Sequence, residues 1–199
     1  MGVINTTDPK YQTYSSNQAQ KLDWPYYDTI ALPAAGTEFN MFSIGLGGLT
    51  AAGLPKTITD TNLPANGATP NGQIFEIRAI RFEYTAIADR SSADLVSLNK
   101  FLSGTAVRFS VVGMADLFSS MLPEVMGIPV LWHNPTAATI NETVLSKGRF
   151  SGIRPLNVPI MLNEQTSFNV RLNFAAAVPA ALVGDLLRCY LEGFLIRAS

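Results

Sequence analysis

The sequence predicts an all-β protein, an antiparallel β-sandwich with one short helix and an extended N-terminal arm. In residues 168–174 apolar and polar side chains alternate, which is the period-two pattern of a strand with one buried face. Residues 186–197 are apolar at nearly every position, which predicts a strand covered on both sides. Strand candidates are not regularly followed by helices, so a parallel βαβ arrangement is not favoured.

The first 25 residues are predicted to form the arm, and residues 26–199 the globular domain. The arm is polar, with Ser, Asn and Gln concentrated between residues 13 and 20. Aromatic side chains are scattered through this region, and such side chains are favoured at protein interfaces. A frayed tail is the alternative. The candidates for contact with a neighbouring subunit are Tyr11, Tyr14, Trp24, Tyr26 and Tyr27.

Two short strands are predicted next, over residues 27–32 and 39–44. The loop that follows, residues 45–73, is rich in Gly and Pro, and this density precludes long regular elements. Within it, residues 57–63 are a candidate for a short edge segment. An irregular loop of this length is uncommon in a compact domain, so we expect it to be functional or held by its neighbours.

Ile74–Ala86 is the longest predicted strand. Its apolar residues change face after Ala79: Phe75, Ile77 and Ala79 precede the change, and Ile80, Phe82 and Tyr84 follow it. One extra residue at that point, a β-bulge, would place both apolar sets in one core. The alternative is two short strands.

A helix is predicted over Ser91–Leu102, with Ser91 or Ser92 as its N-cap and Gly104 as a left-handed C-cap. Its apolar stripe is predicted to pack in the core and consists of Leu95, Leu98, Phe101 and Leu102. Of the elements that follow, we predict strands at 106–113, 139–145, 149–153, 156–162, 168–174 and 186–197, a helical turn at 115–121 and a short apolar run at 128–132. Pro159 interrupts the 156–162 strand and therefore predicts an edge position.

Composition bounds the function. The net charge is −1 and 15% of the residues are charged, so the chain has no basic patch of the kind that nucleic-acid binding requires. Much of the surface must then be neutral, and neutral surface is often covered by a partner. No secretory signal and no apolar stretch long enough to span a membrane are recognised in the sequence.

Few residues point to chemistry. His133 is the single histidine, so a multi-histidine metal site is excluded, and it is interpreted as an ordinary loop residue. Cys189 is the single cysteine and is interpreted as a small buried hydrophobe. Glycines 45, 47 and 48 lack the spacing of a phosphate-binding loop. The carboxylates form no recognisable catalytic pair, and Glu76 and Glu192 are expected to pair with Arg78 or Arg188 across the sheet. The sequence therefore predicts no enzyme activity, no cofactor and no metal site.

The order of these elements resembles the jelly-roll major capsid proteins of tailless icosahedral bacteriophages, including those with an internal membrane. The resemblance is carried by Thr59–Leu63 leading to Phe75–Ile77, and by the closing runs Phe168–Phe174 and Leu191–Arg197. It implies a single jelly roll of eight antiparallel strands in two sheets. It also implies that many copies tile a shell, alone or with a second coat or vertex protein, and that the protein resides in the virion after assembly in the host cytoplasm. No catalytic residues follow from it.

The near-neutral arm adds an expectation about what the shell encloses. Arms that contact packaged nucleic acid are usually basic, so we expect no sequence-specific nucleic-acid binding, and a membrane or another protein to face the genome. The alternatives for function are another virion β-protein (spike, vertex or tail-associated) and a carbohydrate-binding β-sandwich. The latter would use exposed aromatic residues, for which Trp24, Tyr26, Tyr27 and Trp132 are the candidates.

Overall fold

A computed structural model describes residues 19–50, 52–64, 68–88, 91–126 and 149–198. Its strands and helices are β1 (Ala19–Asp23), β2 (Tyr26–Ala31), β3 (Glu38–Met41), β4 (Gln73–Thr85), α1 (Ser92–Ser103), β5 (Thr105–Val111), β6 (Asp116–Met121), α2 (Leu122–Met126), β7 (Arg149–Leu162), β8 (Phe168–Phe174), a 3-10 turn (Ala180–Leu182) and β9 (Leu186–Ala198). The predicted features at Tyr11, Tyr14, 128–132, His133 and 139–145 lie outside the described residues.

The strands form two antiparallel sheets that enclose one core. In sheet A the order is β2, β9, β4, β7, and β1 continues β2 along the same side of β9. In sheet B the order is β3, β8, β5, β6. The pairing is nested: β5 pairs with β6, β4 with β7, β3 with β8, and β2 with β9. A ribbon of nested strand pairs wrapped into two facing sheets is the jelly roll, so the predicted fold class is confirmed.

The bulge predicted in the longest strand is present. The pairing of β4 with both of its neighbours shifts register between Ile77 and Ala79, about one residue before the predicted position. The register shift has the predicted effect, because it places the apolar residues on both sides of it in the same core: Phe75, Ile77, Ile80, Phe82 and Tyr84. Strand β4 is therefore a single strand that changes phase, and not two short ones.

Helix α1 agrees with its prediction at the N-terminus and differs at the C-terminus. Ser91 and Asp94 form a reciprocal capping box. The predicted stripe is buried: Leu95, Leu98, Phe101 and Leu102. Gly104 ends the helix with φ −90°, so the predicted left-handed cap is wrong. Its N–H donates to the carbonyl oxygens of Lys100 and Phe101, a tight last turn that needs no left-handed residue.

The helical turn predicted over residues 115–121 is also wrong. Residues 116–121 form β6, which pairs with β5 at the edge of sheet B, and the short helix α2 begins only at Leu122. Pro123 is the second residue of α2, and a proline is tolerated in the first helical turn because its missing N–H has no partner there. Pairing with β5 overrides the weak local helical signal of this segment.

Strand β7 lies at the edge of sheet A, as the proline predicted. The two predicted strands, 149–153 and 156–162, are one continuous strand with a break in its pairing. Pro155 pairs with Ala79 and Ile160 with Ile77, which leaves residues 156–159 without partners on β4. Pro155 and Pro159 lack an N–H, so they weaken this edge as a template for another strand.

The closing strand, β9, lies inside sheet A between β1 and β2 on one side and β4 on the other. The prediction that it is covered on both faces holds for one face only. Leu187, Cys189 and Leu191 face the core. Of the alternate residues, those from Leu186 to Phe194 are half-buried under a layer of long side chains on the outer face of the sheet, and Ile196 is buried. Gly193 lies opposite the bulge of β4, where the adjacent strand leaves no space for a side chain.

Strands β1 and β3 refine the prediction for the N-terminal part of the chain. β1 falls within the stretch predicted as an arm, yet it pairs with β9, with Ala19 opposite Ala198. β3 ends at Met41, earlier than predicted, because Phe42 has a left-handed backbone with φ +63°. Strands β2 and β8 have the predicted extent within a residue.

Candidate interaction surface

The five aromatic residues predicted for subunit contacts do not share one environment. Trp24 lies between β1 and β2 and is 43% exposed. Its backbone N–H donates to the carbonyl oxygen of Gly193. Tyr26 is 2% exposed and packs edge-on against Phe75 at 4.7 Å. Burial raises the pKa of Tyr26 to about 12. Tyr26 is therefore a core residue, and its side chain is not exposed for the predicted contact with a neighbouring subunit.

Tyr27 belongs to a cluster on the outer face of sheet A. Its ring lies 6.0 Å from that of Tyr190, and its hydroxyl donates to the carbonyl oxygen of Ile58. The guanidinium of Arg188 lies beside both rings and donates to Thr29 and to the carbonyl oxygen of Thr59 at 2.7 Å each. These bonds connect the sheet to the long loop before β4. A shallow cleft of ≈ 280 Å³ next to Arg188 is lined by Thr29, Glu83, Thr85, Leu186 and Arg188.

A second group of charges crosses the middle of the same face. Arg81 donates to Glu192 at 2.5 Å and stacks over the ring of Tyr190, 3.7 Å from its centroid. The Tyr190 hydroxyl in turn donates to Glu83 at 3.3 Å. Glu192 thus pairs across strands as expected, but its partner is Arg81 and not the predicted Arg78 or Arg188.

The third group lies beside β1. Glu76 accepts hydrogen bonds from Lys21 at 3.0 Å and from Arg78 at 2.8 Å. Both cations also lie over the ring of Phe194. Burial on its own would raise the pKa of Glu76, but the bonds and charges of Lys21 and Arg78 together bring that pKa below its ordinary 4.5. On this face, then, the charges are largely paired with one another.

A buried ion pair fixes the long loop to the side of the sandwich. Lys56 lies 2.5 Å from Asp28 on β2, and their side chains are 7% and 0% exposed. Asp28 also accepts the N–H of Phe42 at 2.6 Å. Burial raises the pKa of Asp28 above its ordinary 3.8, against the charge and hydrogen bond of Lys56. We expected the long loop to be functional or held by its neighbours, and strand β2 of the same chain holds it through this ion pair.

The loop presents an apolar hairpin to solvent, of which residues 45–50 and 52–56 are described. Its two limbs are joined by backbone hydrogen bonds and by a bridge between Leu49 and Pro55. Leu46, Leu49 and Leu54 are 47%, 64% and 66% exposed. Residues 45–55 carry no charged side chain. Three exposed leucines on a small, fixed hairpin form the kind of apolar surface that marks an interaction site.

Other large hydrophobic side chains are exposed elsewhere on the described surface. They lie next to the hairpin, on the loops that end β4 and β5, on α1, and along the edge strands β6 and β7: Ile58, Ile87, Val96, Val112, Met114, Leu117, Met121, Ile153 and Val158. Single exposed hydrophobic side chains are ordinary in soluble proteins, so the three leucines of the hairpin are the stronger candidate for an interaction surface.

Within the described ranges, no group of three or more His, Cys, Asp or Glu side chains is arranged to hold a metal ion. Cys189 is fully buried, and burial raises its pKa well above the ordinary 9.0. No helix in the described part of the chain is long and apolar enough to cross a membrane.

Sequence reasoning missed the pair of Asp28 and Lys56 because 28 residues separate its members. One signal was available: Lys56 is the single cation between residues 22 and 77. A single cation in a long segment whose other charges are carboxylates often pairs with one of them, because an unpaired buried charge is costly.

No protein-family model matches this sequence, and a comparison with curated proteins also finds no match.

Proposed function

We propose that this chain is a structural coat protein, many copies of which assemble into the icosahedral shell of a tailless bacteriophage. The observation that carries the proposal is the nested jelly-roll topology, an architecture used by viral capsid proteins and also by lectin domains and cupins. The shell would consist of this chain alone or together with a second coat or vertex protein, and the protein would reside in the virion.

Two further features support a coat role over the other uses of a jelly roll. The apolar hairpin holds three leucines in solvent on a fixed backbone, and such side chains gain free energy when a neighbour covers them. The low charge of the chain, with a net value of −1, permits close approach of identical copies.

The carbohydrate-binding alternative draws less support from the aromatic residues. Tyr26 is in the core, and the hydroxyl of Tyr27 is bound to the loop. Trp24 is then the exposed aromatic among the described candidates. A sugar platform usually needs more than one accessible ring or a ring beside free polar groups, and the polar groups near Tyr27 are engaged with one another.

Assembly of the purified full chain tests the proposal. We expect light scattering and negative-stain electron microscopy to show closed particles of uniform size. The double substitution Leu49→Asp and Leu54→Asp should leave a folded protein of low mass, since charged side chains cannot be buried unpaired at a contact.

The matched control adds the same two charges at exposed polar positions, Asn40→Asp and Asn99→Asp. This control should still assemble. A wild-type protein that stays monomeric at every concentration and salt condition would contradict the proposal, and binding of that monomer to glycans would favour the alternative.

A further inference from the structure

Part of the long loop lies against the free side of β2 and occupies its backbone groups. Thr61 forms an isolated antiparallel bridge with Asp28. The N–H of Tyr27 donates to the side chain of Asn62 at 2.9 Å, and its carbonyl oxygen accepts from the N–H of Asn62 and the hydroxyl of Thr61. An edge strand with unoccupied backbone groups is a template for pairing with another chain, so these contacts cover an edge that would otherwise be open.

A buried cluster attaches this cover to β2, in addition to the bonds from Tyr27 to Ile58 and from Arg188 to Thr59. Lys56 reaches Asp28 at 2.5 Å, and the N–H of Phe42 reaches the second oxygen of the same carboxylate at 2.6 Å. Asp28 thus accepts hydrogen bonds from Phe42, at the start of the segment, and from Lys56, closer to its end. No other cation lies between Phe42 and Leu63 in the sequence.

The closed arrangement also carries costs that opening would relieve. The side chains of Asp28 and Lys56 lose nearly all of their water, and in a buried ion pair the cost of desolvation offsets much of the Coulomb attraction. Phe42 and Leu63 at the two ends of the segment are fully buried and stay in the core, whereas most of the described side chains between them are exposed. A segment with few buried apolar contacts is able to open as a unit while the rest of the fold stays intact.

We propose that residues 43–50 and 52–62, between the core residues Phe42 and Leu63, belong to a removable cover over the β2 edge, and that the contact between Asp28 and Lys56 is its latch. While the latch is closed, β2 cannot pair with a strand from another chain. When the latch opens, the backbone groups of Tyr27 become available on that side. The proposal goes beyond the proposed coat function and does not depend on it.

Hydrogen exchange of the wild-type full chain, followed by mass spectrometry in low concentrations of urea, tests the cover without any substitution. The amide of Tyr27 and the amides of residues 43–62 should exchange through an opening with little urea dependence, whereas the β2 amides that pair with β9 should not. Peptides from β5 and β8 in sheet B should exchange only with global unfolding. Exchange of the amides of Tyr27 and residues 43–62 through the same global transition would overturn the proposal.

The latch is tested by Lys56→Met, which leaves the Asp28 carboxylate without its cation. Exchange in the two reporter regions should accelerate on the order of 100- to 4,000-fold, the range expected when one partner of a buried ion pair is removed. Exchange in β8 should remain unchanged. Unaltered exchange in the reporters, or equal acceleration in β8, would show that the pair is not a local latch.

Two variants complete the cycle. Asp28→Asn combined with Lys56→Met removes both charges and should return exchange to within about tenfold of wild type, since a neutral pair avoids the buried charge. Arg154→Met removes the exposed pair with Glu124, whose side chains are 45% and 59% exposed, and should leave the reporters unchanged. A double variant as open as Lys56→Met would argue against the ionic latch.

Discussion

Replacing Gly193 on β9 with alanine should strongly destabilise the sandwich. Gly193 lies on β9 opposite Ile77, where β4 shifts register. A Cβ atom at this position would lie 1.9 Å from the carbonyl oxygen of Glu76 and 3.1 Å from the Cα of Ile77. Both atoms belong to the backbone of the adjacent strand, so no side chain can rotate away to make room.

The magnitude follows from the displacement required. Bringing the Cβ to an ordinary contact of 3.4 Å from that oxygen needs a local separation of 3.4 − 1.9 = 1.5 Å between β9 and β4. Overpacking of a well-packed interior typically costs about 1–3 kcal/mol, and a clash with backbone belongs at or above the upper end. A loss of about 3 kcal/mol in a chain of this size lowers the Tm by roughly 6–12 °C.

Thermal and urea unfolding followed by circular dichroism give the free energy of unfolding for the variant and wild type. Gly104→Ala is the matched control, because Gly104 has φ −90° and its nearest contact would be the side chain of Ala175 at 3.2 Å. This control should change the free energy of unfolding by less than about 1 kcal/mol. If Gly193→Ala unfolds within about 1 kcal/mol of wild type, the close approach of β9 to the bulge is not as described.

Ser91→Ala removes the N-cap of α1 and should lower the free energy of unfolding by about 1 kcal/mol in urea titrations, whereas Ser91→Asp should largely keep it. Glu76 has a folded-state pKa below its ordinary 4.5 because of Lys21 and Arg78, so its contribution to stability is present above pH 4.5 and is lost as the pH falls through the folded-state pKa. Urea titrations at several pH values should show this acid-side loss reduced in Glu76→Gln, and an identical pH dependence would refute the assignment. Cys189 should resist alkylation in the folded protein and react fully in denaturant, as measured by intact mass, because it is buried with a raised pKa.

Where side-chain periodicity and core contact coincide, the sequence was sufficient to predict the fold. The bulge in β4 was visible because the apolar residues before Ala79 and those after it lie on opposite strand faces, and only one extra residue brings both into one core. The helix α1 was predictable because its capping box and its stripe are local signals. The bulge and the helix each depend on residues that are close together in the sequence.

Features that depend on distant partners were beyond sequence reasoning. β6 was predicted as a helical turn because its local pattern is weak, and its strand conformation comes from pairing with β5. The outer face of β9 contains residues such as Tyr190 that look apolar in the sequence, yet the charged side chain of Arg81 covers it. The candidate surface shows the same limit, because aromatic composition could not distinguish the exposed Trp24 from the buried Tyr26.

The nested pairing of the strands also bears on how the chain folds. Ser110 pairs with Asp116, only six positions away, whereas Asp28 pairs with Cys189, 161 positions away. Formed directly, the outer pair would require closure of a very long loop and would make folding slow. If the pairs form from the inside outward, each pair brings the next two strands together, and the effective loop at every step is only the connections between neighbouring pairs. Folding would then proceed like a zipper that starts at β5 and β6 and finishes at β9, an order that φ-values measured along the nested pairs can test.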